Sequence, residues 1–110
     1  MRREDKIRIL HMIESAEKAQ EFLTNKTYDD LQQNEQLAFA VMHALEIIGE
    51  AAAQTTQEFR NAYPNIQWRN IISMRNKLIH AYFDINYKIV WSTVKEDIPM
   101  LLQQLRTIKD

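Results

Sequence analysis

The segment Asn34–Phe59, NEQLAFAVMHALEIIGEAAAQTTQEF, contains no proline and the only glycine of the chain. Asn34 followed by Glu35 and Gln36 reads as a helix start. From there Leu37, Val41, Ala44, Leu45, Ile48, Ala51, Ala52 and Thr55 fall on one wide apolar stripe. Phe39, Met42 and Ile47 lie on the opposite side. A helix apolar almost all round belongs at the centre of a fold, touched on more than one side. Gly49 costs about 1 kcal/mol against alanine in a helix interior. Its presence predicts that another backbone comes close there.

The flanking segments carry the same period. Glu4 to Leu23 places Ile9, Ile13, Ala16, Ala19 or Gln20, and Leu23 at helical spacing. Thr24-Asn25-Lys26-Thr27 interrupts it, and Thr27 with Asp30 resembles a capping box opening a short turn of helix. Asn61-Ala62-Tyr63-Pro64-Asn65 is the clearest loop. A further helix is predicted from about Gln67 to Tyr82, ended by Asp84-Ile85-Asn86 or followed by a helix that this cluster caps. A last helix, about Tyr87 to Thr107, buries Ile89 or Val90, Val94, Ile98, Leu101, Leu102 and Leu105. Pro99 should kink or restart it, with Asp97 as the cap. The expected fold is all-α: an antiparallel bundle of four principal helices plus a short helical turn, forming a single domain over 1–110.

Composition agrees. The chain has 110 residues, one Gly and two Pro, and folds rich in tight turns consume both. At 13.1 kDa, 45% hydrophobic and 26% charged, it matches a globular domain rather than a disordered tail. With 14 basic and 15 acidic residues the formal charge is −1. Broad, counterion-driven nucleic-acid binding favours strongly basic chains, so any RNA chemistry would come from a few placed cations. The absence of Cys removes thiolate catalysis, disulfides and Cys-based zinc sites. MRREDKIRIL has charge without a following apolar run, and no stretch approaches the roughly 20 apolar residues of a membrane span. A cytoplasmic protein with no membrane contact is expected.

The chemistry concentrates in Trp68–Tyr82, WRNIISMRNKLIHAY. On a helical wheel of about 100° per residue, Ile71, Met74, Leu78 and Tyr82 lie to one side of Arg75, and Ile72 and Ile79 to the other. Arg75 should therefore project from the middle of the apolar face. A guanidinium cannot shed its proton, so it needs a carboxylate, an interface cleft or an anionic ligand. His80, five residues on, diverges from it by roughly 140° on a straight helix. Acting on one group would require a distorted helix end, a long arginine reach, or a second copy across a twofold axis. The spacing leaves a purely structural alternative open. In it Arg75 forms a buried bridge to Glu46 or Glu50, while His80 and Tyr82 pack with satisfied polar tips.

Met74-Arg75-Asn76-Lys77-Leu78-Ile79-His80-Ala81-Tyr82-Phe83 resembles the signature of the HEPN superfamily in its HepT-like branch. That signature is an arginine, a polar residue, three further positions, then histidine, any residue and tyrosine. Leu45–Ala52 is similar to the family's central-helix motif, Tyr63–Arg69 to the approach to its motif helix, and Val94–Pro99 to its last helix. Together the blocks cover about Asn34 to Leu105. Ala81 and Asp84 depart from it, standing where many relatives have an acidic residue and glycine. The resemblance implies a toxin of a HEPN/MNT toxin–antitoxin pair, a metal-independent endoribonuclease acting as a homodimer without a cofactor. By the same resemblance, Arg75 would bind the scissile phosphate, His80 would serve as general acid–base, and Asn76 would orient either. The implied partners are RNA, a second copy of the chain, and an MNT-type nucleotidyltransferase antitoxin that attaches AMP to the motif tyrosine, Tyr82. The competing expectation is a non-catalytic helical dimer that binds and regulates such a nucleotidyltransferase.

Other residues offer less. Glu46 and Glu50 read as partners of Arg75 or as dimer contacts. With His43 they also form a strip at three- and four-residue steps, the donor set of an alternative metal site. His11 and the Arg2-Arg3 pair read as surface. Trp68 and Trp91 read as core or interface anchors.

Overall fold

In the first helix, α1 (Arg3–Phe22), the buried stripe is Ile9, Met12, Ala16 and Ala19, continued by Leu23 just beyond the helix end. Met12 rather than Ile13 occupies its centre, and Ile13 is half-buried. The computed structural model describes residues 1–81 and 84–109, with the backbone alone for Ile79, His80 and Ala81. Thr27 opens α2 (Tyr28–Gln33) with the expected capping box: its hydroxyl accepts from the Asp30 N–H at 3.1 Å, and its own N–H donates to Asp30 Oδ2 at 2.8 Å. The Thr27 backbone N–H first, and the Thr27 side chain second, hold the Asp30 carboxyl below its ordinary 3.8.

The central helix is α3 (Glu35–Ala53), capped by the Asn34 side chain, which accepts from the Leu37 N–H at 3.0 Å. It packs along α1 for most of its length and buries Val41, Leu45, Ile48 and Ala52 completely. By length and composition alone α3 could cross a membrane, contrary to the expectation that no stretch comes near that limit. Glu35, His43 and Glu50 stand on its exposed side, as the core helix of a globular fold requires. The helix also stops short of the expected Phe59. Thr56 leaves helical geometry and caps a separate α4 (Gln57–Ala62), accepting from the Phe59 N–H at 3.1 Å. Asp5 secures that corner. Only 2% exposed, it accepts the Thr56 N–H and hydroxyl, both at 2.8 Å, tying the start of α1 to the start of α4.

The helix expected over Gln67–Tyr82 is three elements: α5 (Trp68–Ile72), α6 (Met74–Leu78) and a strand β1 (Ile79–Ala81). Ser73 separates the two helices, with its hydroxyl turned back to Asn70 O at 3.4 Å. A hydroxyl that competes for backbone carbonyls, following the consecutive β-branched Ile71 and Ile72, weakens the helix there. Gly49 meets α5 just before the break. A Cβ on it would lie 3.0 Å from Ile71 O and 3.6 Å from Ile72 O, which is the close backbone approach that the glycine predicted. After Leu78 the chain pairs antiparallel with β2 (Asp84–Ile85), Ile79 opposite Ile85 and Ala81 opposite Asp84. The Asn86 N–H closes the ribbon on Leu78 O at 2.9 Å.

Asn86 caps α7 (Tyr87–Ser92), accepting from the Ile89 N–H at 3.1 Å. The chain then widens into a π-helical turn over Thr93–Asp97 and continues as α8 (Ile98–Arg106). Asp97 does not cap: its backbone is helical and its side chain bonds to no N–H of the next turn. The π turn places Pro99, which has no N–H to donate, in the first turn of α8, so the axis adjusts without a break. Arg106 meets Glu17 at 2.8 Å across α8 and α1. The helices enclose one core, and the all-α architecture is the expected bundle with its second, third and fourth helices subdivided.

Candidate active site

Two residues anchor α6 in the core, Met74 at 8% and Leu78 at 0% exposure, and between them Arg75, Asn76 and Lys77 all stand exposed. Arg75 is thus not enclosed by apolar neighbours, as a continuous helix would require. The interruption at Ser73 resets the phase between α5 and α6, and Ile72 beside it is itself 37% exposed. Nor does Arg75 form the buried bridge: Glu46 is half-buried, Glu50 is exposed, and Arg75 has no ion pair or side-chain hydrogen bond among the described residues. Its charge faces solvent with no counter-charge paired to it among the described residues.

His80 lies two residues beyond the last residue of α6, in β1. The ribbon pairs Ile79 with Ile85 and Ala81 with Asp84, so His80 is the extra residue of a bulge. Bulges re-aim side chains and recur beside active sites. The angular divergence from Arg75 applied to a straight helix. The chain instead leaves the helix at Leu78, so that angle does not describe the folded segment. Tyr82 lies outside the described residues, as does the side chain of His80.

Among the described residues no three His, Asp or Glu side chains converge on a common point, so His43, Glu46 and Glu50 do not assemble a metal site. His11 and His43 are exposed. Trp68 is an anchor: 8% exposed, it packs edge-on against Phe59 at 5.8 Å and donates from Nε1 to Tyr63 O at 3.0 Å. Trp91 stacks edge-on with Tyr28 at 5.9 Å, under the Lys95 ammonium at 5.0 Å. Arg2 lies 3.8 Å from Glu58, both ends exposed, a contact of little energetic weight.

Two surface grooves flank the α5–α6 segment. One, of roughly 330 Å³, runs between it and the π turn with α8, and carries Lys77 and Asp97 among its lining residues. The other, of roughly 710 Å³, lies between α4 and α5 and reaches Ile72 and Ser73. Sequence periodicity gave no sign of either, because each is made by elements that meet only in the folded chain.

The fold is thus an all-α bundle in which Arg75, on a broken helix, has no partner among the described residues and His80 follows in a bulge. The chain belongs to the HepT-like ribonuclease family, whose description, Ribonuclease HepT-like, matches residues 12–108. It is 42% identical over 101 residues to a probable ribonuclease HepT of Thermococcus cleftensis, covering 92% of each chain. It is 36% identical over 107 residues to a putative RNase of Methanocaldococcus jannaschii, covering 97% of this chain and 98% of that one. A putative RNase of Caldanaerobacter subterraneus is 37% identical over 98 residues, 89% of this chain and 88% of the relative. No solved structure matches it significantly.

Proposed function

We propose that this chain is a metal-independent endoribonuclease, the toxin of a HEPN/MNT pair, working in the cytoplasm as a homodimer. The observation that carries the reading is Arg75: an exposed guanidinium with no partner among the described residues, five positions before a histidine placed in a bulge. RNA brings its own nucleophile, the ribose 2′-OH, so cleavage needs no serine or cysteine from the protein. The 2′-oxygen attacks phosphorus and the 5′-oxygen departs, leaving a 2′,3′-cyclic phosphate and a free 5′-OH. A histidine of ordinary pKa near 6.5 takes the 2′ proton, and His80 of the partner subunit gives one to the leaving oxygen. Arg75 offers paired donors to the charge growing on the phosphoryl oxygens. Asn76, exposed beside it, orients the phosphate or the imidazole.

The twofold seam is proposed along the uncovered side of α3, where Phe39 is 52% exposed and Glu46 and Glu50 follow at helical spacing as dimer contacts. An MNT-type nucleotidyltransferase would inactivate the enzyme by transferring AMP to Tyr82, placing a bulky anion two residues from His80. Cleavage of cellular RNA in EDTA-containing buffer, compared for wild type, Arg75→Ala and His80→Ala, tests the reading. Wild-type cleavage lost in both variants is expected. Absence of any wild-type cleavage, with all three proteins folded, overturns it. Intact mass after coexpression with the nucleotidyltransferase, against a Tyr82→Phe control, tests the modification.

A further inference from the structure

The groove between α4 and α5 is lined by basic but no acidic side chains among the described residues. Its lining includes Arg60 and Arg69, the side-chain amides of Gln57 and Asn61, and the Ser73 hydroxyl, with Trp68 among its apolar residues. No Asp or Glu among the described residues lines it, although the chain carries 15 acids and a net charge of −1. The acid of α4, Glu58, lies outside this groove, near Arg2.

The two arginines play different parts. Arg60 is half-buried and held entirely by neutral partners. Its Nη1 donates to Thr55 O at 2.6 Å, Thr55 Oγ1 at 3.1 Å and Ala52 O at 3.2 Å, while Nη2 donates to Gln57 Oε1 at 3.1 Å. Carbonyls and amides fix the guanidinium without cancelling its charge, so it supplies a stationary positive field. Arg69 is exposed and has no ion pair among the described residues, leaving its donors free.

The groove also leads somewhere. Ile72 and Ser73 belong to its lining, and Ser73 O accepts the Asn76 N–H at 3.0 Å, so its end adjoins the start of α6 where Arg75 and Asn76 stand exposed. The groove on the other flank of α5–α6 is lined by both Lys77 and Asp97 and has no such one-signed lining. Arginine, amide and hydroxyl donors without base-edge partners are the set that grips phosphodiesters irrespective of sequence.

We propose that the α4–α5 groove is a backbone track for single-stranded RNA next to the scissile phosphate, with Arg69 as its phosphate contact and Arg60 as its fixed field. Arg69 is a positioning residue: it touches the flanking backbone, not the reacting atoms. This rests on the ribonuclease reading, and the test separates the two. The probe is a 2′-O-methyl oligouridylate, which lacks the nucleophile and cannot be cut, titrated against the wild-type chain and Arg69→Gln across a range of salt. Arg69→Gln should weaken binding about 5- to 10-fold and flatten the slope of log affinity against log salt by about 0.7, one phosphate's share for a single strand. Arg69→Lys should restore most of that slope. With cleavable RNA the loss should fall on KM rather than kcat. Identical affinity and slope for wild type and Arg69→Gln would overturn the track while leaving the ribonuclease standing. An Arg69-dependent slope in a wild type that never cuts RNA would keep the track and sink the ribonuclease. A wild type that neither binds nor cuts overturns both.

Discussion

Replacing Gly49 by alanine tests whether the seating of α5 on α3 controls the candidate site. Two opposed terms decide the outcome. Alanine gains about 1 kcal/mol of helix propensity over glycine in a helix interior. Against that, the new methyl would stand 3.0 Å from Ile71 O and 3.6 Å from Ile72 O. Both obstacles are backbone, so relief requires α5 itself to move by a few tenths of an ångström rather than a side chain to swing aside. Overpacking of that kind costs about 1–3 kcal/mol, and the net is destabilisation of about 1 kcal/mol. Valine adds more bulk with less of the propensity gain and should cost about 3 kcal/mol. Urea unfolding at one fixed protein concentration reads the stability, since any dimer would make the midpoint concentration-dependent. Cleavage by the folded fraction reads the site. Displacing α5 shifts Ser73 and the start of α6, so activity should fall further than stability explains. A Gly49→Ala protein that is more stable by about the full propensity gain, and cleaves as wild type does, would refute the argument.

Two further outcomes follow from hydrogen bonds at the corners. Asp5 accepts two bonds at 2.8 Å from Thr56, so Asp5→Ala should cost about 2 kcal/mol, with the Thr56 N–H left wanting. A double-mutant cycle with Thr56→Val should show coupling of about 1 kcal/mol, and simple additivity would assign the loss to something else. Asp30 supplies a pH signature. Its folded carboxyl titrates below its ordinary 3.8, so its support of α2 is complete above that value and fades as the pH falls through the lower folded one. Thermal midpoints of wild type and Asp30→Asn should therefore differ at pH 7 and converge in strong acid; a gap independent of pH would rule out the capping carboxylate as its source.

Much of the architecture is already legible in the order of residues. The α1 and α3 stripes, the Thr27 capping box, the Asn34 cap and the glycine at a close approach are local or periodic features, and periodicity is a property of the chain itself. Spacing marked Arg75 as a candidate but left a structural alternative open, and the roles of His80 and Tyr82 came only with the HepT-like resemblance, which is carried by strings of residues. What spacing misjudged was continuity. The run from Gln67 to Tyr82 carries only a weak local sign of the break, at Ile71-Ile72-Ser73, and none that Ile79 pairs with Ile85 across a ribbon. These choices depend on partners met only after folding: the α3 backbone at Gly49 and the Asn86 N–H on Leu78 O.

The consequences for the site are direct. Read as one helix, the segment buries Arg75 and sets His80 on another face; read as folded, it exposes Arg75 and puts His80 in a bulge. Asp5 with Thr56, 51 residues apart, and the acid-free α4–α5 groove are likewise invisible to any local window. The sequence by itself determined which side chains exist, and which stripes must be hidden, because burial of apolar surface follows the helical period. Where the helices break, which charges are left to solvent and what lies beside them were decided only by tertiary structure, because those depend on backbone hydrogen bonds and close contacts between segments far apart in the chain.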